Sequence, residues 1–435
     1  MNNNETKTGK RIGRWLAIVA GCCMAVSAHA QNKVYQDEAF DPNVRTVRLL
    51  TSEGPLFSST FSLEQPEPVV LVFDVLELDA NATYGDYNVK IIHCNADWRK
   101  SRLADMDFLT QFNEFQINNE QLSRNTKIPF GQYQWTLPRV TQTGNYALQV
   151  YQGTNPNDVL FTKRFMVYSR VVGVGAEVMP SADVSRRATS QQIEFVVDYG
   201  SIDIPNPQQD VYVVVRQNYQ WFNALEGLKP TFVRASDRQL EYRPFDMSTN
   251  FYGASEFRFF DIRTVNALGQ NVGKVLREKV PTEVLLLPDQ DRSGQAYSQY
   301  DDLNGKYIIG NLEFQGGELV SDYLLTHFFL EANNPAQGDV YVIGAFNGNV
   351  LNQENKLTYD ATLGGYRTTM LLKQGFYSYL YYVDGPDNPY AFDGNHFQTE
   401  NRYEIFVYTR PIGARADLLV GYTSLLANGQ NRQQR

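Results

Sequence analysis

Short apolar segments recur along the chain and are separated by clusters of Gly, Pro, Asn and Asp. In several of them polar and apolar residues alternate, as in residues 256–259, and this period of two is expected of a strand with one buried face. Helical periodicity is confined to a turn or two near Leu103–Phe112. The pattern predicts an all-β protein. The predicted strands are Val69–Leu76, Tyr87–His93, Asn145–Tyr151, Leu160–Tyr168, Ile193–Asp198, Val211–Gln217, Glu256–Ile262, Tyr323–Leu330, Val340–Ile343 and Phe376–Val383.

The first thirty residues have a different pattern and predict a secretory signal peptide. A basic segment precedes an apolar stretch at 15–26, and the small residues Ala28 and Ala30 suit signal peptidase. We expect cleavage after Ala30 and export to the periplasm. A lipobox-like segment ending at Cys22 leaves lipidation of that cysteine as an alternative. That cut would shorten the apolar stretch to about six residues, below the roughly 7 of an ordinary signal peptide.

Glycine interruptions divide the strands into three successive groups. Gly173 and Gly175 break a strand-like run after the first group, and Gly316-Gly317 follows the second. At about 100–200 residues per domain, the chain length suits this number of domains. We predict three tandem β-sandwich domains. The divisions are a signal peptide at 1–30, an N-terminal β-sandwich at 31–170, a middle β-rich domain at 171–320, a C-terminal domain at 321–411 and a tail at 412–435.

The last predicted domain has the sharpest local signal. A strand at 339–343 runs into a Phe346-Asn347 turn, and a long strand follows the turn at Gly375. This arrangement resembles the immunoglobulin-like early-set domain shared by glycogen-binding modules. In those modules an aromatic residue after the turn stacks on sugar, whereas here Gly348-Asn349-Val350 occupies that place. The resemblance therefore implies the fold of this domain but not a sugar-binding site. The alternative functional hypothesis is a carbohydrate-binding envelope protein.

Charge and cysteine content restrict the function classes. The chain has a formal net charge of −9, and removing residues 1–30, with four basic residues and one acidic residue, leaves −12. This disfavours nucleic acid as a partner, because its binding depends on Lys and Arg neutralising phosphates. Outside the signal segment Cys94 is the only cysteine, so no intramolecular disulfide can form. Because Cys94 follows an apolar strand, we predict a buried and unreactive thiol.

Motifs for catalysis or cofactor binding are missing from the sequence. His93, His327 and His396 have no metal-ligand spacing, and no Gly-x-Ser-x-Gly elbow is present. The glycines at 173 and 175 lack the third glycine and the following helix of a dinucleotide fingerprint. No later segment reaches the ~18 uninterrupted apolar residues of a membrane helix. We predict a protein without enzymatic activity, cofactor or membrane-spanning segment.

One segment copies the start of a calcium loop. Asp289, Asp291 and Ser293 stand at the first, third and fifth positions, with glycine at the sixth. The twelfth position has Tyr300 instead of the bidentate Glu, and Arg292 places a cation within the loop. A polar turn is therefore favoured over a calcium site, which would instead suggest a calcium-dependent, adhesin-like structural protein.

The strand at 87–93 ends in an unusual turn formed by His93, Cys94, Asn95, Asp97 and Trp98. Together with further motifs, this turn makes the chain resemble, over nearly all of residues 34–425, the plug protein family of the type IX secretion system. The further motifs are Ser123-Arg124-Asn125-Thr126, Gly144-Asn145-Tyr146, Gln217-Asn218-Tyr219-Gln220-Trp221, Asp302-Leu303-Asn304-Gly305-Lys306-Tyr307 and Gly413-Ala414-Arg415-Ala416-Asp417.

The resemblance implies a periplasmic protein, peripheral to the outer membrane, that docks on the outer-membrane translocon barrel and closes its periplasmic mouth. Such a seal needs a folded, exported body and no catalytic residues. Tyr219, Trp221 and Phe222 form a candidate anchor for the partner, because buried aromatic residues often dominate interfaces. The competing interpretation is that these three rings complete a local hydrophobic core.

Overall fold

The computed structural model of the protein describes residues 33–77, 85–386 and 388–429. The predicted signal peptide, with Cys22 and both alternative cleavage sites, lies outside the described residues. Nearly all regular structure is β, which confirms the predicted fold class. The short helix expected near Leu103–Phe112 is present. Helices within the described ranges are α1 (Asp105–Phe108), α2 (Pro207–Asp210) and 3-10 turns at Val184–Arg186, Gly317–Val320 and Ala345–Asn347.

The first unit, residues 33–170, is a β-sandwich. One sheet has the order β1-β11-β10-β6-β7, with β4 parallel to β11, and the other has the order β3-β2-β5-β9-β8. Alternate side chains of both sheets form one core, in which Phe73 stacks on Tyr133 with ring centroids 5.4 Å apart. The strands are β1 (Glu38–Ala39), β2 (Val44–Thr51), β3 (Gly54–Pro55), β4 (Thr60–Ser62), β5 (Val70–Leu76), β6 (Tyr87–Cys94), β7 (Phe115–Ile117), β8 (Asn119–Leu122), β9 (Phe130–Thr136), β10 (Gly144–Gln152) and β11 (Val159–Tyr168).

The next strands begin a second unit but do not complete it. One sheet has the order β12-β13-β17-β16, with β18 also paired to β13, while β14 and β15 lie in a separate sheet. The strands are β12 (Gly173–Pro180), β13 (Ser190–Asp198), β14 (Val211–Gln217), β15 (Leu225–Glu226), β16 (Phe232–Arg234), β17 (Gln239–Tyr242) and β18 (Asn250–Tyr252).

A third unit, residues 253–398, is built on one nine-stranded sheet. Its order is β19-β27-β24-β25-β26-β23-β21-β20, with β22 paired to β27, and its strands share one core around Phe260, Phe328 and Tyr377. The sheet order does not identify an immunoglobulin-like type, so that finer assignment stays a prediction. The strands are β19 (Arg258–Asp261), β20 (Val272–Leu276), β21 (Glu283–Leu286), β22 (Tyr307–Ile309), β23 (Tyr323–Glu331), β24 (Asp339–Ile343), β25 (Lys356–Asp360), β26 (Gly365–Lys373) and β27 (Gly375–Asp384).

The last strands, β28 (Asn401–Thr409) and β29 (Leu418–Ala427), return to the second unit. β28 pairs with β14 over its whole length, giving the sheet β15-β14-β28-β29. Side chains of both strands enter the core formed by β13, β14 and β17. Strand pairing therefore crosses the boundary predicted at 411, and the predicted tail contains an ordered strand. We propose a division that follows the cores, in which 171–252 and 399–429 form one middle unit.

Candidate functional site

The turn after β6 joins the first unit to the middle unit. The Ala96 amide donates to Asp417 Oδ2 at 3.0 Å, and the Asp417 amide donates to Asn95 Oδ1 at 3.2 Å. Trp98 closes the turn by donating its amide to the Asn95 carbonyl, and it adopts a left-handed φ of 62°. Because such a conformation is unfavourable for a bulky residue, the surrounding contacts must hold it in place. The unusual turn noted in the sequence is therefore a contact between the first unit and the middle unit.

A buried asparagine completes this contact. Asn145 donates its side-chain amide to the carbonyls of Asn95 and Ala96, at 3.2 and 3.3 Å. Its Oδ1 accepts a 2.8 Å hydrogen bond from the Tyr408 hydroxyl of the middle unit. We call this group, Asn95–Trp98 with Asn145, Tyr408 and Asp417, the signature joint. It brings together three of the motifs on which the family resemblance rests, although they are far apart in the sequence.

His93 and Cys94 lie directly behind the signature joint. The His93 ring is buried, with Nδ1 3.0 Å from Ser101 Oγ and Nε2 3.2 Å from the Thr143 carbonyl. Burial lowers the pKa of His93 to about 4, so the imidazole is neutral near pH 7. Cys94 is fully buried, which confirms the predicted burial, and desolvation raises the pKa of its thiol to about 12.

Two tryptophans meet between the first and middle units. Trp98 contacts Trp221 edge to face, with ring centroids 5.1 Å apart. The Arg164 guanidinium lies 4.2 Å from the Trp98 centroid, and that of Arg216 lies 4.6 Å from Trp221. We call these four residues, with Phe406 stacked on Trp221, the tryptophan cluster. Cation–π contacts of this kind, away from water, stabilise the packing of the two units.

The three candidate anchor residues are half-buried, and all of them make contacts within the chain. Trp221 belongs to the tryptophan cluster, and Phe222 packs on Tyr382 of the third unit with centroids 4.4 Å apart. Burial raises the pKa of Tyr219 to about 12. The structure thus places these rings where the units meet, and their binding to a partner stays a prediction.

A buried ion network connects the first unit to the third. Lys373 and Asp74 are both fully buried and form an ion pair of 2.5 Å. The Tyr323 hydroxyl donates to Asp74 Oδ2 at 2.6 Å, and the Gln132 amide donates to Oδ1 at 3.2 Å. Every hydrogen-bonding group added to this carboxylate helps to offset its removal from water.

A second ion pair extends this network. Arg48 donates through both Nη atoms to the Glu318 carboxylate, and Gln132 also donates to Glu318, at 3.3 Å. Although burial acts in the opposite direction, the bonds from Arg48 hold the pKa of Glu318 below its usual value. Bidentate geometry of this kind makes a strong and directional contact.

These charged groups were only weakly predictable from the sequence. Asp74 interrupts the apolar strand Val70–Leu76, and Arg216 follows three valines in Val211–Gln217. A charged residue inside a buried strand requires a partner. The partner itself is not visible in the sequence, because Lys373 and Glu404 are far away along the chain.

The calcium-like segment forms a different arrangement. Arg258 Nη1 donates to Asp289 Oδ1 at 2.9 Å, while the hydroxyls of Tyr379 and Tyr381 donate to Oδ2 at 2.6 and 2.8 Å. Asp291 accepts the Ser293 amide at 2.8 Å, as in a polar turn. Across the described ranges, no three His, Cys, Asp or Glu side chains are grouped to hold a metal ion.

The Phe346-Asn347 turn, where a sugar-binding surface was considered, is packed against the third core. Phe346 meets Tyr377 edge to face, with centroids 5.2 Å apart, and Asn347 donates to the Val342 carbonyl at 2.8 Å. The Phe346 ring therefore supports the core of the unit. Carbohydrate binding stays an untested alternative.

Comparison with known proteins identifies the first unit. Residues 44–169, from β2 to β11, match the family described as "Type 9 secretion system plug protein 1st domain". A hypothetical protein from Parabacteroides merdae has the same fold, with a TM-score of 0.84 and 28% identity over 91% of this chain and 100% of that one. No curated protein matches the chain. No helix in the described segments has the length and apolar character required to span a membrane. The chain therefore carries, as its first unit, a type 9 secretion system plug protein 1st domain, which supports the family resemblance predicted from the sequence.

Proposed function

We propose that this protein is a non-enzymatic plug that docks on the outer-membrane translocon of the type IX secretion system and seals its periplasmic side. The observation that carries the proposal is the family match at residues 44–169. The predicted signal peptide supports a periplasmic location, peripheral to the outer membrane.

The contacts between units support this proposal. A body that closes a wide pore has to keep its shape, and here buried contacts connect the first unit to each of the others. The signature joint and the tryptophan cluster connect it to the middle unit, and the Asp74–Lys373 network connects it to the third. Removing one partner from a buried ion pair costs about 3–5 kcal/mol, so such contacts resist separation.

Docking is tested by affinity purification. A C-terminal tag on the natively expressed protein, followed by gentle extraction of the envelope, should recover a very large outer-membrane barrel protein. Recovery of the chain alone, or with polysaccharide, would contradict docking and would favour the carbohydrate-binding alternative.

Sealing needs a separate measurement. Deleting the gene should make cells sensitive to a large antibiotic that the outer membrane normally excludes, and only when the translocon is present. If deletion strains with and without the translocon were equally resistant, the sealing role would be wrong even if the two proteins co-purified.

The proposed anchor is tested with Phe222→Ala and, as a control, Trp135→Ala. Trp135 is also half-buried, but it packs on Phe115 within the first unit. Loss of the barrel with Phe222→Ala alone, in a variant that still melts cooperatively, is expected if this surface contacts the translocon. Equal recovery with both variants would assign Phe222 to internal packing.

A further inference from the structure

The three units meet around a cavity of about 50 Å³. Its wall includes Arg48, Lys163 and Arg164 of the first unit, Arg216 of the middle unit and Asn349 of the third unit. The volume is sufficient for a few water molecules or one small ion. Anything bound there would contact all three units.

The wall of the cavity is positively charged although the chain as a whole is acidic. Four cationic side chains line it, against one carboxylate, that of Asp37. Three of the cations have a carboxylate partner within the chain: Arg48 pairs with Glu318, Lys163 with Asp37 and Arg216 with Glu404.

The fourth cation, Arg164, has no carboxylate partner. Its side chain is 8% exposed, and its Nε donates to the Tyr35 carbonyl at 2.6 Å. Among the described residues no carboxylate lies within ion-pair distance of its guanidinium. The oxygens of nearby Asp37 are occupied by the Lys163 ammonium and by the backbone amide of Arg164. A buried charge without a counter-charge is costly, and proteins rarely retain one.

The surroundings of Arg164 increase this need for an anion. Its guanidinium lies 4.2 Å from the centroid of the Trp98 ring and 5.4 Å from that of the Trp221 ring. The guanidinium of Arg216 also lies near the Trp221 ring, 4.6 Å from its centroid. Burial lowers the pKa of Arg164 to about 10; the charge on Asp37 opposes this shift, and the charge on Arg216 adds to it. Two guanidiniums therefore flank one indole ring, and of the two only Arg216 has a carboxylate partner.

We propose that this cavity binds a small monovalent anion, such as formate, acetate or chloride, through Arg164. A volume of about 50 Å³ suits an anion of this size. Because each unit contributes to the wall, the bound anion stabilises the arrangement in which all three units are together. The proposal concerns the isolated protein and does not depend on docking to the translocon.

Direct binding is measured by tryptophan fluorescence on residues 31–435 with Trp135→Phe, which leaves Trp98 and Trp221 as the only tryptophans, both beside Arg164. Sodium formate, acetate or chloride is titrated against sodium gluconate at constant ionic strength, with gluconate as the bulky control anion. We expect a saturable fluorescence change and a rise in melting temperature with the small anions only. Separate titrations show whether carboxylates or halides bind better. A wild-type response identical to that in gluconate would overturn the proposal.

Variants locate the site. Arg164→Met should weaken binding at least tenfold, whereas Arg164→Lys should keep an anion-dependent response. The matched control, Arg139→Met, removes an exposed guanidinium of the first unit and should bind like the wild type. Undiminished binding by a folded Arg164→Met variant would show that the anion binds elsewhere. If that variant does not fold, the wild-type titration against gluconate still decides the proposal.

Discussion

Replacing Lys373 by methionine should separate the first unit from the third. The substitution keeps most of the side-chain volume but leaves the Asp74 carboxylate buried without its cation. Removing one member of a buried ion pair costs about 3–5 kcal/mol. Since the Tyr323 hydroxyl and the Gln132 amide still donate to Asp74, we expect the lower end, about 3 kcal/mol.

The assay is equilibrium urea unfolding, with each transition followed separately because three units need not unfold in one step. Lys356→Met is the matched control. Lys356 pairs with Asp339 at 2.6 Å, but both side chains are substantially exposed, so its loss should cost no more than about 1 kcal/mol. The double variant Asp74→Asn with Lys373→Met should recover much of the lost stability, because no uncompensated charge then remains.

Two results would refute this reasoning. If Lys373→Met cost no more than Lys356→Met, the buried pair would not stabilise the joined units. If the double variant showed the sum of the two single losses, the two residues would not be energetically coupled.

Three further predictions concern single positions. The free energy of unfolding that depends on neutral His93 should be fully present above pH 6.5 and fall by roughly 3 kcal/mol as the pH decreases toward 4. Urea unfolding at several pH values should show this pH dependence in the wild type and not in His93→Gln. Gly253→Ala should lower the melting temperature strongly, because a Cβ would lie 2.1 Å from the His396 carbonyl oxygen, whereas Gly175→Ala meets open space and should melt like the wild type. Asn145→Ala should cost about 2–3 kcal/mol in unfolding experiments, because the Ala96 carbonyl and the buried Tyr408 hydroxyl lose their hydrogen-bond partner, with exposed Asn119→Ala as the neutral control.

The all-β class was predictable because it depends on local patterns. The predicted strand Val211–Gln217 has the observed bounds, and Tyr87–His93 differs from the observed strand by one residue. The division into units was harder to predict from the sequence than the fold class. Val211 pairs with Thr409 and Gln217 with Tyr403, nearly two hundred residues further along the chain. The local alternation of polar and apolar residues does not show which strands pair. A division into consecutive segments therefore did not place β28 and β29 in the middle unit.

The same limit applies to the candidate site. The unusual turn ending in Trp98 was recognisable from its residues, and the burial of Cys94 was expected. Its role as a joint was not, because the contacting groups, Asp417 and Trp221, come from distant segments. Arg164 gave no signal at all, since it follows Thr162 and Lys163 in a short polar run, and an arginine in such a run usually faces water.

The return of the last two strands to the middle unit has a consequence for biosynthesis. The sheet that contains β14 lacks two of its four strands until residues 401–427 have been made. Val213 and Val215, which pack against Ile405 and Val407, stay uncovered until then. A product shortened at its C-terminus would therefore be defective in the middle of its sequence. Copies that end before residue 401 would therefore leave the apolar core of the middle unit exposed, and proteases would degrade them.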